Sequence, residues 1–222
     1  MMHVVYLFDI DGTLLHAHGS GRAAFDAVFV EQHGIPDAST GIRYGGKTDH
    51  QIIDEIFVAR MGRRATAGER AAFIAAYLPK LHALLVEHPV EVLAGVHDAL
   101  TYLAARPEVV LGIATGNVKE GAYAKLGAAQ LERWFSFGGY GCDSHVRAEL
   151  VAKAAERAKH ERDVREVIVV GDTIHDIAAA RAVGATVCAV ATGSDPRDAL
   201  AHADVVFESL IELPAWHAAR FG

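Results

Sequence analysis

Short runs of apolar, mostly β-branched residues punctuate this chain at residues 4–8, 109–114, 167–170, 186–190 and 205–207. Each is too short for a helix, and polar or turn-forming residues follow the first four, as expected of buried strands. Between the later runs the apolar spacing becomes helical. Residues 96–106 carry Val96, Leu100 and Leu103 at that spacing, and residues 147–160 place Leu150, Val151, Ala154, Ala155 and Ala158 on one face. Residues 174–183 stop before Gly184, which can take the left-handed conformation that closes a helix. Strand alternating with helix predicts an α/β fold: a Rossmann-like parallel sheet with helices on both faces.

One interval breaks the alternation. Roughly a hundred residues separate the first apolar run from the second, far beyond an ordinary crossover. They carry helical patterns: Phe25, Val28 and Phe29; then Ile52, Ile53, Ile56 and Phe57; then Phe73, Tyr77, Leu81, Leu84 and Leu85. Pro79 interrupts the last pattern and is expected to kink or split it. We read residues 17–90 as an all-helical subdomain inserted into a core of residues 1–16 and 91–222, with linkers near 15–20 and 88–94.

A hydrophobic content of 51% against 22% charged residues supports a packed core and argues against disorder. The formal charge of −7, without a Lys/Arg cluster, argues against a nucleic-acid partner. Cys142 and Cys188 are isolated thiols, neither a disulfide framework nor a zinc site, and Cys188 lies in an apolar run. No basic n-region with a cleavable apolar stretch opens the chain, and no 18-residue apolar span occurs in it. The expectation is a soluble cytoplasmic protein with no membrane partner; oligomeric state is not legible.

Chemistry gathers at three strand ends. The first gives Asp9-Ile10-Asp11-Gly12-Thr13, the second Thr115-Gly116-Asn117, and the third Gly171-Asp172-Thr173-Ile174-His175-Asp176. In a parallel sheet these ends share one edge, where open α/β sheets bind ligands. Carboxylates brought so close repel one another unless a cation or shared proton lies between them. With oxygen ligands and no His/Cys cluster, Mg²⁺ is the expected ion. The hydroxyls and turn amides suit phosphate oxygens.

Taken in order, Asp-x-Asp-Gly-Thr, Ala-Thr-Gly-Asn and Gly-Asp-x-x-x-Asp resemble the motifs of the haloacid dehalogenase (HAD) superfamily of aspartyl-phosphate-forming hydrolases, specifically its phosphoglycolate phosphatase-like group. The resemblance spans the whole chain, and the inserted helices resemble the C1 cap of these enzymes. It implies a Mg²⁺-dependent phosphatase acting on a small phosphorylated metabolite. Asp9 is then the nucleophile, and Asp11 the acid to the leaving alcohol and base to the attacking water. Asp9, the backbone carbonyl of Asp11, and Asp172 hold the metal, with Asp176 supporting it. Thr115, Gly116 and Asn117 grip the phosphoryl group.

The chain departs from the family pattern in one place: residues 139–147 hold no Lys-Pro. Arg147 is the expected replacement, since a guanidinium clamps phosphate bidentately; Lys153 is the weaker candidate. In the insert, Gly45-Gly46-Lys47-Thr48-Asp49 reads equally as a substrate-contacting loop, with Lys47 and Thr48 in contact, or as a turn with Thr48 or Asp49 capping a helix. Thr115 has a second reading as a helix N-cap. A phosphosugar mutase of the β-phosphoglucomutase type shares both aspartates and is the alternative activity. A catalytically silent binding protein is disfavoured by the intact Asp9, Asp11, Thr115 and Asp172.

Overall fold

The computed structural model describes residues 1–222, the side chain of Glu161 apart. Strand β1 (Met2–Phe8) leads to β2 (Leu15–His16), then three helices, α1 (Ser20–His33), α2 (Asp49–Met61) and α3 (Ala67–Glu87). Strand β3 (Glu91–Val92) returns the chain to α4 (Val96–Ala104), β4 (Val109–Ala114), α5 (Lys119–Ala128) and β5 (Gly138–Gly139). There follow α6 (Arg147–Glu161), β6 (Asp163–Gly171), α7 (Ile174–Ala182), β7 (Thr186–Val190), β8 (Val205–Phe207) and α8 (Leu213–Phe221).

Six strands form one sheet in the order β5-β4-β1-β6-β7-β8, every neighbouring pair parallel. Alternation along β1 shows why both faces must be covered. Val4, Tyr6 and Phe8 enter one apolar cluster with α4 and α5, while Val5 and Leu7 enter a second with α6 and α7. Strand β1 sits where the order reverses, with β4 on one side and β6 on the other. A crevice at the carboxyl edge follows from that topology.

The helices of the insert begin and end on local chemistry. Thr48 and Thr66 each close a capping box, with Gln51 and Glu69, and α1 stops at Gly34 with φ 67°. Aromatic packing joins them: Phe25 meets Phe73 at 5.0 Å and Tyr77 at 4.7 Å, and Phe29 meets Phe57 at 5.3 Å between centroids. Burying each such ring contributes about 1.5–3 kcal/mol against about 1 kcal/mol for a cap, so packing dominates.

Several expectations need correction. Pro79 does not split its helix: α3 runs unbroken through it. The predicted linkers each contain a two-residue strand, β2 pairing antiparallel with β3, too short to leave a periodic signal. Strand β5 was not expected from two glycines. A Cβ at Gly139 would stand 1.9 Å from the Leu150 carbonyl oxygen, so glycine is what lets α6 pack there. Helix α8 and residues 163–166 of β6 lie outside the elements that the apolar pattern predicts. Cys188 is buried and Cys142 exposed, both as free thiols. Among the described residues no helix is long and apolar enough to cross a membrane.

Candidate active site

Strand β1 delivers Asp9 to the sheet edge, its amide bonded to the Val170 carbonyl at 2.9 Å, so β1 and β6 end together. The chain then turns at Gly12, with φ 82°. A Cβ there would also lie 2.6 Å from Asp172 Oδ2, so glycine serves both the turn and the close approach of the two strand ends. Asp172 is held by the Thr13 hydroxyl at 3.3 Å and the Ser194 amide at 2.9 Å.

Oxygens of Asp9, Asp172 and Asp176, all three residues buried, lie within 4.8 Å of one another. Burial, with Asp176 and Asp9 nearby, pushes the Asp172 carboxyl up to about 8. Burial likewise lifts Asp9 to about 6, against the pull of Arg147. Arg147 is the cation here: its Nη2 stands 2.9 Å from Asp9 Oδ2 and 2.6 Å from Asp176 Oδ1, which also accepts from Nε at 2.9 Å. The other Asp176 oxygen accepts from the Thr173 amide and hydroxyl, at 3.0 and 2.7 Å, so Asp176 also closes the capping box of α7. Lys153 is elsewhere, ion-paired with Glu156 at the surface.

Asp11 faces different company. Its oxygens accept from Lys125 Nζ at 2.8 and 2.6 Å, and Oδ2 also from Asn117 Nδ2 at 2.8 Å. Burial raises this carboxyl, but Lys125 and Asn117 outweigh it and leave it below the usual carboxylate range. Asn117 Nδ2 also reaches Thr115 Oγ1 at 2.8 Å, tying Asp11 to the end of β4. Two carboxylates one residue apart thus stand in opposite electrostatic settings, the pattern that separates catalytic roles.

The insert closes over these groups. Asp9, Asp11, Thr115, Gly116, Asn117, Arg147 and Asp172 line one cavity of about 540 Å³, together with Phe25, Tyr44, Lys47 and Tyr77 of the insert. Lys47 lines it while its ammonium pairs with Glu55 at 2.5 Å. Thr48 is not among the residues that line it: its buried hydroxyl caps α2, the second of the two readings open for this loop. Asp176 stands behind Arg147. Thr115 is not the N-cap of α5, which is Val118 without a capping side chain of its own.

Two residues of this site have roles that the sequence reading missed. Asp49, read from sequence as part of a substrate-contacting loop or as a cap for its own helix, instead bridges to the far side of the cleft: it donates its amide to the Gly116 carbonyl at 2.9 Å and accepts the Val118 amide at 2.8 Å. Lys125 is buried, and a signal for it existed. It lies at helical spacing with Val118, Ala122, Leu126 and Ala129, an ammonium on an otherwise apolar face.

Residues 6–190 match the family model described as haloacid dehalogenase-like hydrolase. The chain belongs to this family. The chain is 27% identical to validoxylamine A 7'-phosphate phosphatase of Streptomyces hygroscopicus subsp. limoneus, over 96% of each chain. Its fold matches CbbY from Rhodobacter sphaeroides, solved with phosphate, at TM-score 0.74 and 20% identity over 96% of both chains. It also matches a putative β-phosphoglucomutase from Bacteroides vulgatus, at TM-score 0.71 and 19% identity, covering 99% of this chain and 89% of that one.

Proposed function

We propose that this hydrolase is a Mg²⁺-dependent phosphatase that cleaves a small phosphomonoester through an aspartyl-phosphate on Asp9. Its core is residues 1–16 and 91–222, its helical cap residues 17–90, and its location the cytoplasm. The observation that carries the reading is the split between Asp9, beside Arg147 and the acidic cluster, and Asp11, beside Lys125 and Asn117.

In this scheme an Asp9 oxygen attacks phosphorus while the ester oxygen departs with a proton that Asp11, held ionised beside Lys125, first takes from the bound phosphomonoester monoanion. Asp11, again a carboxylate, takes a proton from the water that cleaves the acyl phosphate and restores Asp9. Thr115 and the amides of Gly116 and Asn117 grip the transferring group, and Arg147 offsets its charge. The buried Asp9–Asp172–Asp176 cluster fits a hard cation, since three carboxylates there face one guanidinium. Asp9, Asp172 and the Asp11 carbonyl would hold the ion, Asp176 would support it, and it would supply charge neutralisation at the phosphoryl oxygens. The apolar wall of Phe25 and Tyr77 limits water at the reacting centre.

The phosphosugar mutase alternative uses the same aspartates and the same fold. The curated relative, a phosphatase, favours water over a sugar hydroxyl as the acceptor. A chromogenic phosphate ester, assayed with Mg²⁺ and with chelator, tests the reading. Wild type should turn over only with the metal, and Asp9→Asn should not turn over. Equal residual rates in the two proteins would end it.

A further inference from the structure

Lys125 is a buried cation that the phosphoryl-transfer scheme leaves without a task. Its ammonium has three donors and three acceptors around it: Asp11 Oδ1 at 2.8 Å, Asp11 Oδ2 at 2.6 Å and Asn117 Oδ1 at 2.8 Å. Asn117 then bridges from Asp11 Oδ2 to Thr115 Oγ1, at 2.8 Å each. Both oxygens of the Asp11 carboxylate are therefore held, Oδ1 by Lys125 and Oδ2 by Lys125 and by Asn117 of the loop that carries Thr115.

Stability alone does not account for this lysine. Its helix face is apolar and its side chain is buried while Asp11 is half-exposed, and an ion pair that desolvates a charge in this way is commonly no more stabilising than a well-packed apolar residue. Asp9 has a separate cation in Arg147, so the two aspartates do not share one.

The geometry points to Lys125 as the positioning residue for Asp11: with Asn117 it sets that carboxylate against the phosphoryl-binding loop, and so governs the proton transfers but not the attack by Asp9. This rests on the phosphatase reading above. No covalent bond to Lys125 forms or breaks.

The test separates the two half-reactions in Lys125→Met, using an aryl phosphate whose phenol leaves without a proton and an alkyl phosphate whose alcohol needs one. With the aryl ester, first-turnover phenol release should stay within about threefold of wild type while steady-state kcat falls about a hundredfold, the size of a lost acid–base contribution. With the alkyl ester both rates should fall, inhibition by inorganic phosphate should be unchanged, and Lys125→Arg should restore part of kcat.

Equal loss of first-turnover release and kcat on the aryl ester would overturn the proposal, as would weakened phosphate inhibition, since Lys125 would then hold the phosphoryl group or only the fold. Should Lys125→Met fail to fold, Lys125→Gln is read by the same two rates. Failure of the underlying reading looks different: Asp9→Asn would then keep first-turnover release, whatever Lys125 does.

Discussion

The Asp49 carboxylate, on the first turn of α2, accepts the backbone amide of Val118 at 2.8 Å and so caps a helix that belongs to another part of the chain. Helix α5 has no capping side chain of its own, and the insert provides one. Asp49→Ala should cost about 1 kcal/mol of stability by thermal or urea denaturation, while Asp49→Asn, which keeps an acceptor, costs less. Equal stability of Asp49→Ala and wild type would show that the contact does not hold α5.

The same carboxyl predicts a pH dependence. Burial pushes Asp49 up from 3.8 to about 6, against the pull of Lys125 and the Val118 amide. A carboxyl whose folded pKa exceeds its unfolded value binds its proton more tightly when folded. Its contribution to stability is full below the unfolded value and is lost as pH rises through the folded one. Wild type should therefore lose stability relative to Asp49→Asn between those two values. Urea denaturation across that window measures it, and parallel pH profiles for the two proteins would contradict the burial argument.

Metal binding should depend on Asp172 and not on the Asp11 side chain. Mg²⁺ that binds only the folded protein raises its melting temperature. Wild type and Asp11→Asn should both show that rise, and Asp172→Asn should show little or none. Because burial and the neighbouring Asp176 and Asp9 hold the Asp172 carboxyl above the usual carboxylate range before the ion binds, affinity should increase as pH rises. Equal loss of the rise in both variants would count against the division of roles between the two acids.

Arg147 offsets a buried acidic cluster, so its removal should be felt first in stability. Breaking a buried ion pair by deleting one partner costs about 3–5 kcal/mol, and a divalent cation can replace part of the lost charge. Arg147→Met should thus be strongly destabilised in chelator and partly rescued by Mg²⁺. Wild-type stability of this variant in chelator would mean that Asp9 and Asp176 do not need the guanidinium.

Much of this site was legible because strand ends carry their own signatures. Asp9, Asp11, Thr115 and Asp172 each follow an apolar run, and a parallel sheet leaves no choice but to gather them on one edge. Arg147 is legible only through the family resemblance, as the cation standing in the interval where that resemblance implies a lysine, at the start of a helix. What stayed hidden depends on packing between distant segments. Asp49 reads as a cap for its own helix because nothing local reveals the Val118 amide across the cleft. Lys125 reads as a surface lysine unless its helical register is counted. Pro79 reads as a breaker, yet its helix passes through it intact.

The central claim is that Asp9 carries the phosphoryl group between ester and water. Rapid acid quench of wild type during its first turnover, followed by peptide mass mapping, tests it directly. The account predicts a transient phosphoryl adduct on the peptide containing Asp9, absent in Asp9→Asn. Phosphate release in the first turnover with no adduct at any quench time, and undiminished release by Asp9→Asn, would contradict it.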